Sequence, residues 1–188
     1  MLHTQYEQRL ETSSETQISK LIADLGNKNE LVRQRARLQL EHIGLECIPA
    51  LLEALQNQNA HIRWEAVKTL GELRIPETAA PLTDMLMDED IGVRWAAMES
   101  LIRLGRDSLR PLLNTFIKNF DSVWMREGVR HILRVFNDRQ ILKNREIILF
   151  KELEKQTIPG FESGWTSQEA WAAERALEVL DQEVAQSS

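Results

Sequence analysis

Four arginines recur at a near-constant interval: Arg33, Arg63, Arg94 and Arg126 stand 30 to 32 residues apart. A guanidinium is a planar, permanently charged fork of donors, suited to carboxylates, phosphates or backbone carbonyls. A row of them serves either a ligand or the scaffold, by charge-assisted bonds to loop groups. The scaffold reading leads, because each arginine directly follows an apolar residue that opens a helical stripe. A second set is aromatic and apolar. With Ile62 at zero and about 100° per residue, Ile62, Ala66, Leu70 and Leu73 share one face, while Trp64, Val67 and Gly71 project away from it. One period on, Trp95, Met98 and Ile102 take the same outward slots. Trp64, Val67, Trp95, Met98 and Ile102 therefore form a candidate binding strip, in which each tryptophan is a potential anchor for a partner. The third set is basic. Arg126, Arg130, His131 and Arg134 recur along one helix, and Arg103, Arg106, Arg110 and Lys118 lie in the units beside it. Arg130 and Arg134 could meet a phosphate, a propionate or an acidic peptide. A solvated basic face balanced by the acidic C-terminus is the stronger expectation.

Other chemistry is harder to build from this chain. Its single cysteine, Cys47, forms no intramolecular disulfide and no thiolate metal cage; between Leu45 and Ile48 it reads as a packed thiol. His3, His42 and His61 are scattered, and nothing in sequence pairs His131 with a nucleophile. A Gly-rich phosphate loop, a zincin helix and a nucleophile elbow are all missing, so no cofactor or metal is expected and an enzyme is the weaker reading. A formal net charge of −6 over 188 residues argues against a nucleic-acid backbone as partner. The N-terminal stretch lacks the pattern of a secretory signal, and no run approaches 18 apolar residues. The expectation is a cytoplasmic protein outside the membrane.

The arginines and tryptophans repeat because the elements holding them repeat. Ile18, Leu21, Ile22 and Leu25 have helical spacing and end in Gly26-Asn27-Lys28-Asn29, after which a second helix runs from Glu30 to Ile43, closed by Gly44. The design returns with Ile48 to Leu55 before the Ile62 helix, with Pro81 to Leu86 before the Trp95 helix, and with Pro111 to Ile117 before the Arg126 helix. Pro49, Pro81 and Pro111 mark equivalent places near the first turns, where a missing N–H is tolerated. Residues 18–136 thus read as four helical hairpins. Residues 1–17 form an N-terminal segment or short cap, and residues 137–188 a divergent helical C-terminal cap. That cap is expected to comprise a helix from Gln140 to Lys155, a loop over 158–164, and a last helix opened by a capping box at Thr166 to Glu169 and ending near Gln182. One such hairpin cannot bury its own apolar face, so the expected fold is an all-α superhelix, a solenoid of stacked hairpins forming one domain.

The signature x-Val-Arg-x-x-Ala-x-x-x-Leu-x-x-x-Gly, behind an acidic or asparagine turn, resembles HEAT-like repeats of the phycobilisome-lyase type over residues 18–136. The resemblance implies that the second helices line a concave surface. It also implies that the repeated arginine pairs with an acidic or carbonyl group of the neighbouring turn. Asp90 and Asp121 are the expected carboxylate partners, with Asn29 and Asn59 in the other two turns. Two functions follow from it. The leading one is a non-enzymatic adaptor holding a protein partner on the concave face. The alternative is a protein that handles a bilin, cradling the tetrapyrrole on the same aromatics. The strip could also be covered by the chain's own termini or by a second copy in a homodimer. Deoxyhypusine hydroxylases, another helical-repeat class, bind iron through His-Glu dipeptides, and this chain has none.

Overall fold

A computed structural model of the chain describes residues 14–155 and 167–187. Every regular element among them is helical, and the chain forms two compact units, Met1–Leu73 and Arg74–Ser188. The first holds helix α1 (14–24), α2 (Glu30–Ile43), α3 (Ile48–Ala54) and α4 (Ala60–Leu73). Its core is the set that helical spacing singles out: Leu21, Leu25, Leu40, Leu51, Ala66 and Leu70 are buried. Both α2 and α3 pack on α4.

The second unit continues with α5 (Ala79–Asp84), α6 (Ile91–Leu104), α7 (Leu109–Lys118), α8 (Val123–Asp138), α9 (Asn144–Lys155) and α10 (Ser167–Ser187). Within it α6 packs on α5 and α8, α7 on α5 and α8, and α10 on α7 and α9. Each unit is a stack of helical hairpins, the α-α solenoid class, and the second ends in a distinct helical segment. The first helices are shorter than their partners. Six residues make α5 and seven make α3, each entered through a 3₁₀ turn, Pro76–Thr78 or Gly44–Cys47, and Pro49 lies in the first turn of α3. No helix among the described residues is long and apolar enough to cross a membrane.

The turn between the helices of a hairpin is one device used repeatedly. Asn27 Oδ1 accepts the Asn29 N–H at 2.9 Å, and Asn29 Oδ1 accepts the Leu31 N–H at 3.0 Å. Asn57 and Asn59 do the same for Asn59 and His61, both at 2.9 Å. Asp88 Oδ1 accepts the Asp90 N–H at 2.8 Å, and Asp90 caps α6 through the Val93 N–H at 3.1 Å. In the fourth hairpin Ser122 caps α8 through Met125. Short acceptors at these places satisfy N–H groups that the helix leaves open. The C-terminal ends of α2 and α6 close on Gly44 (φ +76°) and Gly105 (φ +66°), conformations that L side chains rarely adopt.

Beyond α8 the helix boundaries differ from the sequence expectation. Residue Gln140 is not the start of α9 but the left-handed stop of α8, with φ +58°. Its N–H bonds Asn137 O at 2.9 Å, and the Ile141 N–H reaches back to Phe136 O at 2.8 Å, a Schellman closure. Helix α9 then opens at Asn144, because Glu146 Oε2 accepts the Lys143 N–H at 2.6 Å as the third helical residue of a capping box does. At the other end α10 runs on to Ser187. The expected loop at 158–164, the capping box at Thr166 to Glu169 and the extreme N-terminal segment lie wholly or partly outside the described residues.

Candidate functional site

Three of the four repeated arginines hold turn carbonyls, with the same bond pattern in each of the three hairpins. Arg33 Nη1 donates to Asn27 O (2.9 Å) and Lys28 O (3.4 Å). Arg63 Nη1 donates to Asn57 O (2.8 Å) and Gln58 O (3.2 Å). Arg94 Nη1 donates to Asp88 O (2.7 Å) and Glu89 O (3.1 Å). Arg126 stands at the fourth place of the series, half-buried. The bonds described for Arg94 thus go to main-chain carbonyls of its turn, where Asp90 was expected as carboxylate partner. The Asp90 carboxylate caps α6, and Asn29 and Asn59 cap their own helices.

A carboxylate does enter the series, from a helix rather than from the turns expected to supply it. Glu65 of α4 is buried, with Oε1 at 3.5 Å from Arg33 Nε and Oε2 at 3.3 Å from Arg37 Nε of α2. These are ion pairs rather than well-directed hydrogen bonds. Arg37 also bonds Glu41 at 2.8 Å. The cluster ties the two second helices of the first unit together.

The outward strip is only partly open. Val67 is fully buried and Ile102 nearly so, where the helical projection turns both outward. The projection assumes one covered face, whereas a second helix inside a stack is flanked as well: α4 by α2, and α6 by α8. Trp64, in the first unit, is half-buried, and the Lys68 ammonium sits 4.0 Å from its ring centroid. In the second unit Trp95 remains 54% exposed and Met98 half-buried.

These two line a cleft of about 350 Å³ between the N-terminal halves of α6 and α8. Ile91 and Trp124, 75% and 45% exposed, complete its apolar rim, with Leu86 and Gly128 at its floor. A Cβ on residue 128 would stand 3.2 Å from Leu86 Cδ2, so glycine lets the two elements approach this closely. Arg94, Glu127 and Arg130 supply the polar lining. The Arg94 Cζ lies 4.5 Å from the Trp124 ring centroid, and the His131 ring lies 5.2 Å from that of Trp95, tilted by 45°. Trp124 escaped the sequence reading because it falls one residue before the repeat's first core position, outside the compared slots. Two exposed aromatics on neighbouring helices can clamp an apolar side chain, and their indole N–H groups can hold its polar neighbours.

The basic end is met by the C-terminal helices. Glu146, buried in α9, accepts both Nη1 and Nη2 of Arg106 at 3.1 and 2.9 Å. Arg134 bonds Glu154 at 2.6 Å, and Arg110 bonds Asp181 of α10 at 2.7 Å. Arg134 therefore stands away from the cleft, paired, while Arg130 lines it, 4.0 Å from Glu127. Cys47 is buried, donating to Leu40 O and Gly44 O, and burial pushes its thiol above the ordinary range. Burial likewise raises the Asp84 carboxyl, against the opposing charge of Lys118. Among the described residues no group of three or more His, Cys, Asp or Glu could hold a metal ion.

A family model described as HEAT repeats matches residues 18–102, and the stacked hairpins are related to repeats of that kind. The chain is 32% identical over 99 residues to the uncharacterized protein SkfG of Bacillus subtilis (strain 168). That match covers 52% of this chain and 57% of SkfG, so the chain spans little more than half of that relative's length. Among solved structures, an engineered protein of the Northeast Structural Genomics Consortium is similar at 16% identity, with 88% of this chain and 79% of that one covered and a TM-score of 0.38. A designed armadillo repeat protein is similar at 14% identity, with 84% and 98% covered and a TM-score of 0.33.

Proposed function

We propose that the chain is a non-enzymatic adaptor that holds a segment of a protein partner in the cleft between α6 and α8. The observation that carries this reading is the pair Trp95 and Trp124, both exposed, on adjacent helices around a floor of Leu86, Met98 and Gly128. Exposed tryptophans around a concave apolar floor, with arginine beside them, have the make-up of an interface hot spot. A stack of hairpins lends itself to this role, since its second helices present parallel faces to an extended ligand. The bilin alternative drew support from the basic end. With Arg106, Arg110 and Arg134 each meeting a carboxylate of the C-terminal helices, propionates would find fewer open partners there.

The test is selection of a displayed random-peptide library on the full-length chain. It is followed by binding measurements of the selected peptides to Trp95→Ala and Trp124→Ala. Each substitution is expected to weaken binding about tenfold to thirtyfold, the loss of one anchor of ~2 kcal/mol. The unfolding midpoint should hardly move, as for most surface truncations. Peptides that bind the double variant as tightly as the parent would remove the cleft from consideration. A melting penalty of ~3–5 kcal/mol for either substitution would show a core aromatic instead.

A further inference from the structure

Arg33, Arg63 and Arg94 share their bonds to the turn but differ in what else their guanidinium groups meet. Arg33 of α2 reaches Glu65 on the next second helix, α4, and that contact is buried. Arg94 of α6 likewise reaches the next second helix of its unit, but there it meets the ring of Trp124, at 4.5 Å from the centroid. We infer that Arg94 is a positioning residue for the cleft: it fixes Trp124 as one wall by stacking a guanidinium that the 88–90 turn has already immobilised.

An arginine on a surface moves through many rotamers, and a ring stacked on it gains little order. The Arg94 fork is anchored, because Nη1 is shared between Asp88 O at 2.7 Å and Glu89 O at 3.1 Å. Those carbonyls belong to a turn that is itself tied by Asp88 to the Asp90 N–H and by Asp90 to α6. Trp124, by contrast, sits in the first turn of α8 and is 45% exposed. A planar cation over an indole face, held in place by two carbonyls, restricts that ring at a site where burial alone does not. The same contact places Arg94 in the lining of the cleft, beside Trp95. One residue therefore completes the turn of its own hairpin and orders the aromatic wall of the next. Preorganised walls bind more tightly because less freedom is lost on association. That consequence rests on the adaptor reading; the positioning itself does not.

The experiment uses the full chain labelled with 5-fluorotryptophan and needs no ligand. The five tryptophans give resolvable ¹⁹F resonances, and Trp124→Phe assigns the relevant one. Arg94→Met is expected to shift and narrow the Trp124 resonance as the ring gains motion. Arg63→Met, which removes the equivalent carbonyl bonds in the second hairpin, should leave that resonance in place while lowering stability. Arg94→Lys keeps the charge without the planar fork and should also release the ring; it serves if the Met variant fails to fold. A Trp124 resonance unchanged in both Arg94 variants, with stability lowered as in Arg63→Met, would overturn the inference and leave Arg94 as one more turn clamp. Peptides selected on the parent should bind Arg94→Lys about twofold to fivefold more weakly, the size of one exposed cation–π contact. Should the ring be released with peptide affinity unchanged, the positioning stands and it is the adaptor reading that fails.

Discussion

Replacing Arg106 by Met would strand a carboxylate inside the second unit. The Glu146 side chain is 3% accessible and receives both arms of the Arg106 fork at 2.9 and 3.1 Å, together with the Lys143 N–H at 2.6 Å. Arg106 also donates to Ile141 O at 3.1 Å, so it binds the start of the C-terminal segment at two points. An exposed pair would be worth no more than ~1 kcal/mol. Removing one partner of a buried pair costs ~3–5 kcal/mol, because the other charge is left without compensation. Here the arginine is 30% accessible, and the Lys143 N–H would remain on the carboxylate. Both facts put the expected loss near the lower end, about 3 kcal/mol. Arg106→Met with Glu146→Leu should recover much of this, since an apolar pair needs no solvation, leaving about 1 kcal/mol for the lost cap of α9. Urea denaturation of the full chain, followed by circular dichroism and tryptophan fluorescence, measures both variants against the parent. A loss below ~1 kcal/mol for Arg106→Met, with the double variant no more stable, would show that this bridge behaves as a surface pair and would refute the reasoning.

Three further outcomes are expected. Arg63→Met removes charge-assisted bonds from a buried side chain to Asn57 O and Gln58 O, and should cost ~1.5–3 kcal/mol by denaturant titration. Ala97→Leu adds three carbons at a fully buried position of α6, and the overpacking should lower stability by ~1–3 kcal/mol; an unchanged midpoint would contradict the assignment of that face. Cys47 has its thiol pushed above the ordinary value of 9.0 by burial, so the folded state binds its proton more tightly than the unfolded state. Its contribution to stability is therefore complete below that value and fades as pH climbs past it. Ellman's reagent at pH 8 should accordingly react only as fast as the first unit opens; immediate reaction would place the thiol at the surface.

The hairpins, their caps and the arginine series were legible in the sequence because each depends on short-range physics. Helical spacing selects Leu21, Leu40, Leu70 and Leu101 for the core, and all four are buried. Asn27, Asn57 and Asp88 stand at fixed offsets before their helices because a capping acceptor must lie within two or three residues of the N–H it satisfies. The arginine-to-carbonyl bonds span five or six residues, a distance the repeat itself dictates. The candidate cleft was legible only in part. Trp95 and Met98 follow from the helical projection, but Val67 and Ile102 do not, because a single-helix projection cannot see the flanking helices that cover them. Trp124 joins Trp95 across 29 residues, through the packing of α6 against α8. Glu65 and Glu146 carry no mark in sequence that separates them from the other acidic residues; only packing buries them against Arg33, Arg37 and Arg106. What the sequence determined is whatever one helix and its adjoining turn can decide between themselves. Which charges are paired, and which tryptophans stay exposed, was decided by the tertiary structure, since burial is set by neighbours distant along the chain.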